Sequence, residues 1–125
     1  MIEYTVRVYK YSTEWRLDGK LHREGDLPAI EYANGAKSYY KNGSPHREGD
    51  LPAVEWVNGD KTYYKNGKRH RENGAAIEWA DGSKEYWLDD EELTKPEWQA
   101  RVNPAKELTI AEIEKALGHR VKVVK

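Results

Sequence analysis

Short apolar runs alternate with turn dipeptides along most of the chain. Each run is rich in Ile, Val, Tyr and Trp and has polar residues at alternate positions, which is the pattern of a half-buried β-strand. Asn-Gly and Asp-Gly pairs between the runs tolerate the positive φ angles of tight hairpin turns. The pattern predicts strands at residues 3–10, 29–33, 37–41, 53–57, 61–65, 76–80 and 84–88.

The pattern is an internal repeat with a period of 24 residues. The tripeptide His-Arg-Glu occurs three times, at residues 22–24, 46–48 and 70–72. The predicted units span residues 22–45, 46–69 and 70–93, and a partial unit precedes them at 14–21. Because each unit contains two turn signals, we interpret it as one hairpin followed by a loop that carries His-Arg-Glu. Internal repeats of this kind indicate stacked supersecondary units.

Stacked hairpins predict a mainly β fold, a single-layer antiparallel meander of about seven or eight strands. Alternation puts two columns on one face, which consist of Ile30, Val54 and Ile77 and of Tyr32, Trp56 and Trp79. Across the strands they meet either Tyr40, Tyr64 and Trp87 or their neighbours Tyr39, Tyr63 and Tyr86. A slip of one residue exchanges the two faces, so the pattern leaves this choice open.

The other face is predicted to be a solvated ladder of opposite charges. In the hairpin register suggested by the turns, three carboxylates lie opposite three ammonium groups: Glu31, Glu55 and Glu78 face Lys37, Lys61 and Lys84.

After residue 93 the pattern changes from strands to helices. Thr94 and Glu97, and again Thr109 and Glu112, have the spacing of capping boxes, which begin helices. Gly118 is placed as a helix C-terminal cap, and residues 120–125 alternate like an edge strand. The chain therefore divides into a repeat domain at 1–93 and a helical cap with a terminal strand at 94–125. We expect this second part to cover the open end of the sheet.

Composition limits the chemistry and the depth of the core. The 125 residues include nine Tyr and five Trp but no Phe, and only 38% are hydrophobic. Tyr and Trp suit half-exposed positions, so we expect a thin, one-faced architecture. The absence of Cys excludes disulfides and thiol chemistry. The net charge of −1, the lack of a long apolar run and the charged N-terminal segment favour a cytoplasmic protein without a membrane span.

Three segments carry a family resemblance: EWRLDGKLHRE, HREGDLPAIEYANG and HRENGAAIEWADGSKEYW. They resemble the His-Arg-Glu-Asp-Gly-Pro-Ala repeat of proteins from tailed bacteriophages and some bacteria, and more distantly MORN repeats. The tail ELTIAEIEKALGHRVKVVK is similar to a segment that closes some of those proteins. The resemblance implies a MORN-like hairpin repeat protein of phage origin, acting in the cytoplasm of a bacterial host, with no catalytic residues. The chain departs from it at 25–28 and 49–52, where the loop has one extra residue, and at Ala75, which replaces Pro.

The tripeptide itself is more consistent with packing than with a metal or a catalytic site. Equivalent residues of neighbouring units are two strands apart, or roughly 10 Å, whereas zinc ligands each lie about 2 Å from one ion. We therefore expect no metal and no cofactor. The Arg and Glu residues are expected to form ion pairs between units, with the guanidinium planes stacked on Tyr or Trp. No nucleophile elbow, phosphate loop or zinc-protease motif occurs, so we expect no enzyme.

The aromatic columns are the feature with the strongest functional implication. Rows of Tyr and Trp among charged residues are typical of protein-binding surfaces. The predicted contact residues are Tyr32, Tyr40, Trp56, Tyr64, Trp79 and Trp87, flanked by Arg47 and Arg71. The resemblance to phage proteins suggests a host factor as the partner, with interference in host defence as the role.

Three alternatives stay open for that surface. It binds a nucleotide or nucleic acid, which the net acidity of the repeat region disfavours. It serves a structural or assembly role. Or it is covered, by the tail helix or by a second copy in a homodimer.

Overall fold

The computed structural model describes residues 2–104 and 109–118, which fold into short strands followed by two helices. The predicted strand at 120–125 lies outside these residues. The strands are β1 (Thr5–Val8), β2 (Ser12–Leu17), β3 (Lys20–Leu21), β4 (Ile30–Tyr32), β5 (Lys37–Ser38), β6 (Tyr40–Lys41), β7 (Ser44–Pro45), β8 (Val54–Glu55), β9 (Lys61–Thr62), β10 (Tyr64–Lys65), β11 (Lys68–Arg69), β12 (Ile77–Glu78), β13 (Lys84–Leu88) and β14 (Glu91–Leu93). The helices are α1 (Lys95–Val102) and α2 (Ile110–Leu117).

Ten of the strands form one antiparallel meander. Its order is β1-β2-β4-β5-β8-β9-β12-β13-β14, with β3 paired to β2 outside this path. Each unit contributes two adjacent strands, so the sheet advances by two strands per repeat. The predicted mainly β meander of hairpin repeats with a short helical C-terminal part is confirmed.

The register of the sheet also agrees with the prediction. Glu31 lies opposite Lys37, Glu55 opposite Lys61 and Glu78 opposite Lys84. The same row continues between units, because Lys37 also lies opposite Glu55 and Lys61 opposite Glu78. Acidic and basic positions therefore alternate across the sheet.

The two series of turns are structurally different. At Asn42 and Gly43 both φ angles are positive, at 51° and 84°, which is the type I′ geometry of a two-residue hairpin. At the other series only the glycine is positive, as at Gly35 with φ 96°, and the Asn34 side chain accepts the N–H of Ala36 at 3.0 Å. The Asn42-Gly43 series makes tight two-residue hairpins, whereas the Asn34-Gly35 series makes wider loops.

The predicted strand at 37–41 is wrong as a single element, because it breaks at Tyr39. The Tyr39 N–H donates to the Ala53 carbonyl at 2.7 Å, and its own carbonyl accepts the N–H of His46 at 3.1 Å. Beyond Tyr39 the chain leaves the main sheet, and β6 pairs with β7 in a small ribbon. The second unit repeats this break at Tyr63. These units thus contain two hairpins rather than one, and the strand count exceeds the predicted seven or eight.

The core is thin, as the composition predicts. Among the described residues no large side chain is fully buried. The most completely buried positions are alanines, Ala29, Ala53 and Ala76, where successive units lie against each other. A single layer of this kind depends on contacts between adjacent units rather than on one central core.

Helix α1 packs on the last hairpin. Thr94 caps it with the predicted capping box, and the helix ends at Asn103. The indole of Trp98 lies against Tyr86, with ring centroids 4.9 Å apart, and its Nε1 donates to the Arg71 carbonyl at 2.9 Å. The end of the sheet at β13 and β14 is therefore covered by this helix.

Helix α2 is the second helix that the sequence predicts. Thr109 accepts the N–H of Glu112 in a second capping box, and Gly118 ends the helix with φ 73°. Within the described residues, neither helix combines the length and apolar character needed to cross a membrane.

Trp98→Ala is expected to destabilise the protein by about 3 kcal/mol, because it removes a buried aromatic side chain and leaves the Arg71 carbonyl unpaired. Trp56→Ala is the matched control: its side chain is 53% exposed, so a change within about 0.5 kcal/mol is expected. Urea denaturation measures both free energies of unfolding. Equal losses in the two variants would contradict the packing of α1.

Candidate functional site

Each arginine of the tripeptide joins three parts of the chain. The guanidinium of Arg47 stacks on the ring of Tyr39, 3.8 Å from its centroid. Its Nη1 donates to Glu55 Oε1 at 3.0 Å and to the Pro52 carbonyl at 3.1 Å. On the other side, its Nε and Nη2 donate to the two carboxylate oxygens of Asp26 at 2.9 and 3.3 Å. Arg47 thus binds the loop of the preceding unit, its own loop and the next strand.

The neighbouring units repeat this arrangement. Arg71 stacks on Tyr63 and binds Asp50, Glu78 and the Ala75 carbonyl. Arg23 stacks on Trp15 and binds Glu31 and the Pro28 carbonyl. The predicted stacking of the arginines on aromatic rings is confirmed, and ion pairs between units form from Arg47 to Asp26 and from Arg71 to Asp50. The predicted role of the tripeptide glutamates is wrong, because each lies beside the histidine of its own unit. The carboxylates of the charge ladder accept hydrogen bonds from arginine, which brings more donors than the opposing lysines.

The extra loop residue that departs from the family pattern has a structural role. Asp26 and Asp50 adopt positive φ angles of 53° and 54°, after glycines with φ angles of 77° and 79°. This turn points each carboxylate at the arginine of the following unit. The third unit has no such aspartate, and its Arg71 receives Asp50 from the second.

The ion pair shifts the pKa of both partners. Hydrogen bonds from Arg47 hold the pKa of the Asp26 carboxyl below its usual value, more strongly than partial desolvation raises it. Burial disfavours the charge of the Arg47 guanidinium, but hydrogen bonds to Asp26 and the nearby Tyr39 outweigh it and raise its pKa. Burial also disfavours the charged form of Tyr39, so it raises the pKa of the Tyr39 hydroxyl.

Each histidine holds the second turn of its own unit. His46 Nδ1 accepts the backbone N–H of Asn66 at 2.9 Å, and the next amide of that turn, Gly67, donates to the Pro45 carbonyl at 2.9 Å. Because a backbone N–H can only donate, the hydrogen of the neutral imidazole is on Nε2, which lies 2.7 Å from Glu48 Oε1. Both ring nitrogens therefore have protein partners.

The same contacts recur at the other two histidines. His22 accepts from Asn42 at 2.9 Å and His70 from Asp89 at 3.1 Å. The third copy is looser, since His70 Nε2 lies 3.5 Å from Glu72. The structure thus supports a packing role for the tripeptide. In residues 2–104 and 109–118 no cluster of three His or carboxylate side chains could hold a metal ion.

Alternation along each strand separates the arginines from the aromatic columns. Glu55, which binds Arg47, lies between Val54 and Trp56 in sequence, so its side chain is on the opposite face from theirs. We call the two sides the arginine face and the aromatic face. Arg47 and Arg71, predicted to flank the tryptophans, lie instead on the arginine face.

The structure also decides which tyrosine of each pair belongs to which face. Tyr39 and Tyr63 are buried beneath Arg47 and Arg71 on the arginine face. Tyr40 is half-buried, and burial together with the nearby hydroxyls of Tyr32 and Tyr64 raises its pKa. In these two units Tyr39 and Tyr63 therefore do not meet the aromatic columns.

The indoles of the third unit are linked through one carboxylate. Trp79 Nε1 donates to Glu85 Oε2 at 2.7 Å, and Trp87 Nε1 donates to Glu85 Oε1 at 3.2 Å. The guanidinium of Arg69 lies 3.8 Å from the centroid of Trp87. The sequence analysis did not predict Arg69. Its second partner is Asp90, 21 residues later, and the position of Arg69 beside a turn could have indicated this contact.

One group of exposed apolar side chains lies at the Asn-Gly and Asp-Gly loops, and others lie on β1 and in the His-Arg-Glu loops, where Leu27 and Leu51 are exposed. Trp56 is 53% and Trp79 41% exposed, Tyr32 is half-exposed, and Val57 is 66% exposed. We call these four residues the aromatic edge. The indole N–H of Trp56 has no partner within the described chain. Tyr11, 68% exposed, extends this edge, because its carbonyl accepts the N–H of Ala33 at 2.8 Å.

Two clefts separate the successive loops at the other end of the strands. Their volumes are about 230 and 170 Å³, and both are lined by His-Arg-Glu residues of adjacent units. Pockets that enclose small organic ligands usually measure about 300–1,000 Å³. The clefts fit water or an ion better than a nucleotide.

Comparison of the chain with protein-family models, curated proteins and solved structures finds no match. The resemblance to phage repeat proteins therefore stays a prediction.

His46→Ala is expected to destabilise the protein by about 2 kcal/mol, because it removes a buried side chain and the amide of Asn66 loses its acceptor. His46→Asn is the matched control, since its side-chain oxygen occupies a position close to that of Nδ1 and restores part of the loss. Urea denaturation and hydrogen exchange of the Asn66 amide measure the effect. Equal destabilisation by both variants would show that the acceptor is unimportant.

Asp26→Asn is expected to cost less than about 1 kcal/mol at neutral pH, since Asp26 is half-exposed and solvent screens the pair. The pKa of Asp26 is lowered by folding, so its stabilisation is present above pH 3.8 and is lost as the pH falls through the lowered value. The stability difference between the parent chain and the variant should therefore disappear at low pH. In an Arg47→Lys background the difference should be smaller at neutral pH; an unchanged difference would refute the pairing.

Proposed function

We propose that the chain is a non-catalytic repeat module that binds a protein partner through the aromatic edge. The observation that carries this proposal is the row of exposed indoles at Trp56 and Trp79, beside the exposed Val57. Contiguous exposed apolar surface is uncommon on soluble monomers, and Trp and Tyr are enriched at the centres of interfaces. A partner that buries these rings recovers their apolar area and offers an acceptor to the Trp56 N–H.

The opposite face supports the same proposal by contrast. Its arginines already donate to Asp26, Asp50 and the carboxylates of the ladder, so their charge is neutralised within the chain. A nucleotide or nucleic acid needs uncompensated cations for its phosphates. The small clefts between the loops add no enclosed site for a base. The paired arginines are therefore unavailable to phosphates, and the proposal of a protein partner rests on the aromatic edge.

Trp56→Ala combined with Trp79→Ala is expected to abolish capture of the partner from bacterial lysate, the source that the phage resemblance suggests. Each buried interface tryptophan commonly contributes at least about 2 kcal/mol, so the double variant should weaken binding by well over a hundredfold. The matched control is Lys37→Ala with Lys61→Ala, which removes exposed side chains from the arginine face and should leave capture intact.

The folded state of both double variants is checked by circular dichroism before capture. Retention of the same partner by the folded tryptophan variant would exclude the aromatic edge. If the parent protein captures no protein partner but its melting temperature rises when a mononucleotide is added, the nucleotide alternative is favoured instead.

A further inference from the structure

Among the described residues, none pairs with the outer side of the first strand, whereas the last strand is covered. Strand β1 begins the strand order, and all four of its residues are exposed, with Val8 at 79%. At the other end, α1 packs on β13 and β14 through Trp98. An edge strand presents unpaired N–H and C=O groups, which are a template for a further strand.

The hydrogen-bond pattern fixes which groups of β1 are free. The Tyr9 N–H donates to the Ser12 carbonyl at 2.7 Å and closes the hairpin to β2. Bonded and non-bonded pairs alternate along an antiparallel ladder, so the backbone groups of Arg7 and Thr5 also point towards β2. The even-numbered residues, which include Val6 and Val8, point their N–H and C=O groups away from the sheet.

The side chains around Thr5 are complementary to themselves. Residues 2–8 read Ile-Glu-Tyr-Thr-Val-Arg-Val. In an antiparallel pair of two such segments centred on Thr5, Glu3 lies opposite Arg7 of the second copy. Tyr4 then lies opposite Val6 of the second copy, and Ile2 opposite its Val8. Opposite charges and apolar side chains are thus matched at every position on both faces.

Other registers lose this match. A two-fold axis perpendicular to the sheet keeps each side chain on its own face. The axis must therefore pass midway between two copies of the same residue. Centring on Arg7 places two guanidinium groups against each other, and centring on Val6 separates Glu3 from Arg7 of the second copy. Within the described residues neither Glu3 nor Arg7 has an ion-pair partner, so both charges are available.

We propose that residues 2–8, which are β1 and the three residues before it, pair antiparallel with residues 2–8 of a second copy of this chain, with Thr5 beside Thr5 at the two-fold axis. The two ten-stranded sheets then continue into one another, with both aromatic faces on the same side. A ladder of this length is smaller than a standard interface, so the dimer forms at high micromolar concentrations rather than at nanomolar ones.

Cross-linking tests the register, because the chain contains no cysteine. Thr5→Cys places two thiols in a non-hydrogen-bonded pair, with Cα atoms about 4.5 Å apart, within disulfide reach. Under mild oxidation it should form linked dimers at least about tenfold faster than Ser83→Cys, an exposed turn position away from β1. Arg7→Cys should cross-link no faster than Ser83→Cys, since its thiols lie roughly 13 Å apart in this register.

Charge reversal tests the pairing itself by sedimentation velocity over a range of concentrations. Glu3→Arg alone and Arg7→Glu alone each place like charges opposite each other and should weaken dimerisation at least about tenfold. An equimolar mixture of the two variants restores both ion pairs in a heterodimer, so association should return in the mixture only.

Three results would overturn the proposal. One is a parent protein that stays monomeric up to about 500 μM. Another is Thr5→Cys cross-linking no faster than Ser83→Cys. The third is Arg7→Cys cross-linking faster than Thr5→Cys, which would place the axis elsewhere.

Discussion

The guanidinium groups of the repeated arginines are the contact on which the rest of the structure depends. A single-layer sheet with no large, fully buried side chain gains little from a central core, so its units must be joined to their neighbours individually. Arg47 does this by lying flat on Tyr39 and by binding Asp26 of the preceding loop and Glu55 of the following strand. Arginine suits the position because its planar fork stacks on a ring and donates in several directions at once.

The histidines complement this contact at the other side of each loop. His46 accepts an amide from the next type I′ turn, and the carbonyl before it accepts the following amide. Each unit therefore holds its neighbour through a charged contact and through backbone hydrogen bonds. The contacts weaken towards the last unit, where His70 is farther from its glutamate and the aspartate of the loop is missing.

Because the contacts between units use the arginine face, the two faces of the sheet have different properties. On the arginine face the carboxylates and guanidinium groups pair with one another, whereas Lys37 and Lys61 form no ion pair within the described residues. The aromatic face has no comparable network in the first two units, and its indoles are half-exposed at the Asn-Gly loops. The two ends of the sheet also differ within the described part of the chain, since α1 covers one end and no strand pairs with the outer side of β1 at the other. The open surfaces are thus the ones that the packing contacts do not use.

The sequence by itself determined the period of the repeat, the positions of the turns, the register of Glu31 against Lys37 and the two capping boxes. These features depend on residues close in sequence, through turn chemistry and strand alternation. Only the tertiary structure decided that the strand breaks at Tyr39, that Tyr39 rather than Tyr40 lies beneath Arg47, and that Asp26 binds an arginine 21 residues later. These outcomes arise where two stacked units meet. The sequence pattern of one unit could not predict them, because strand alternation is the same whichever face the neighbouring unit contacts.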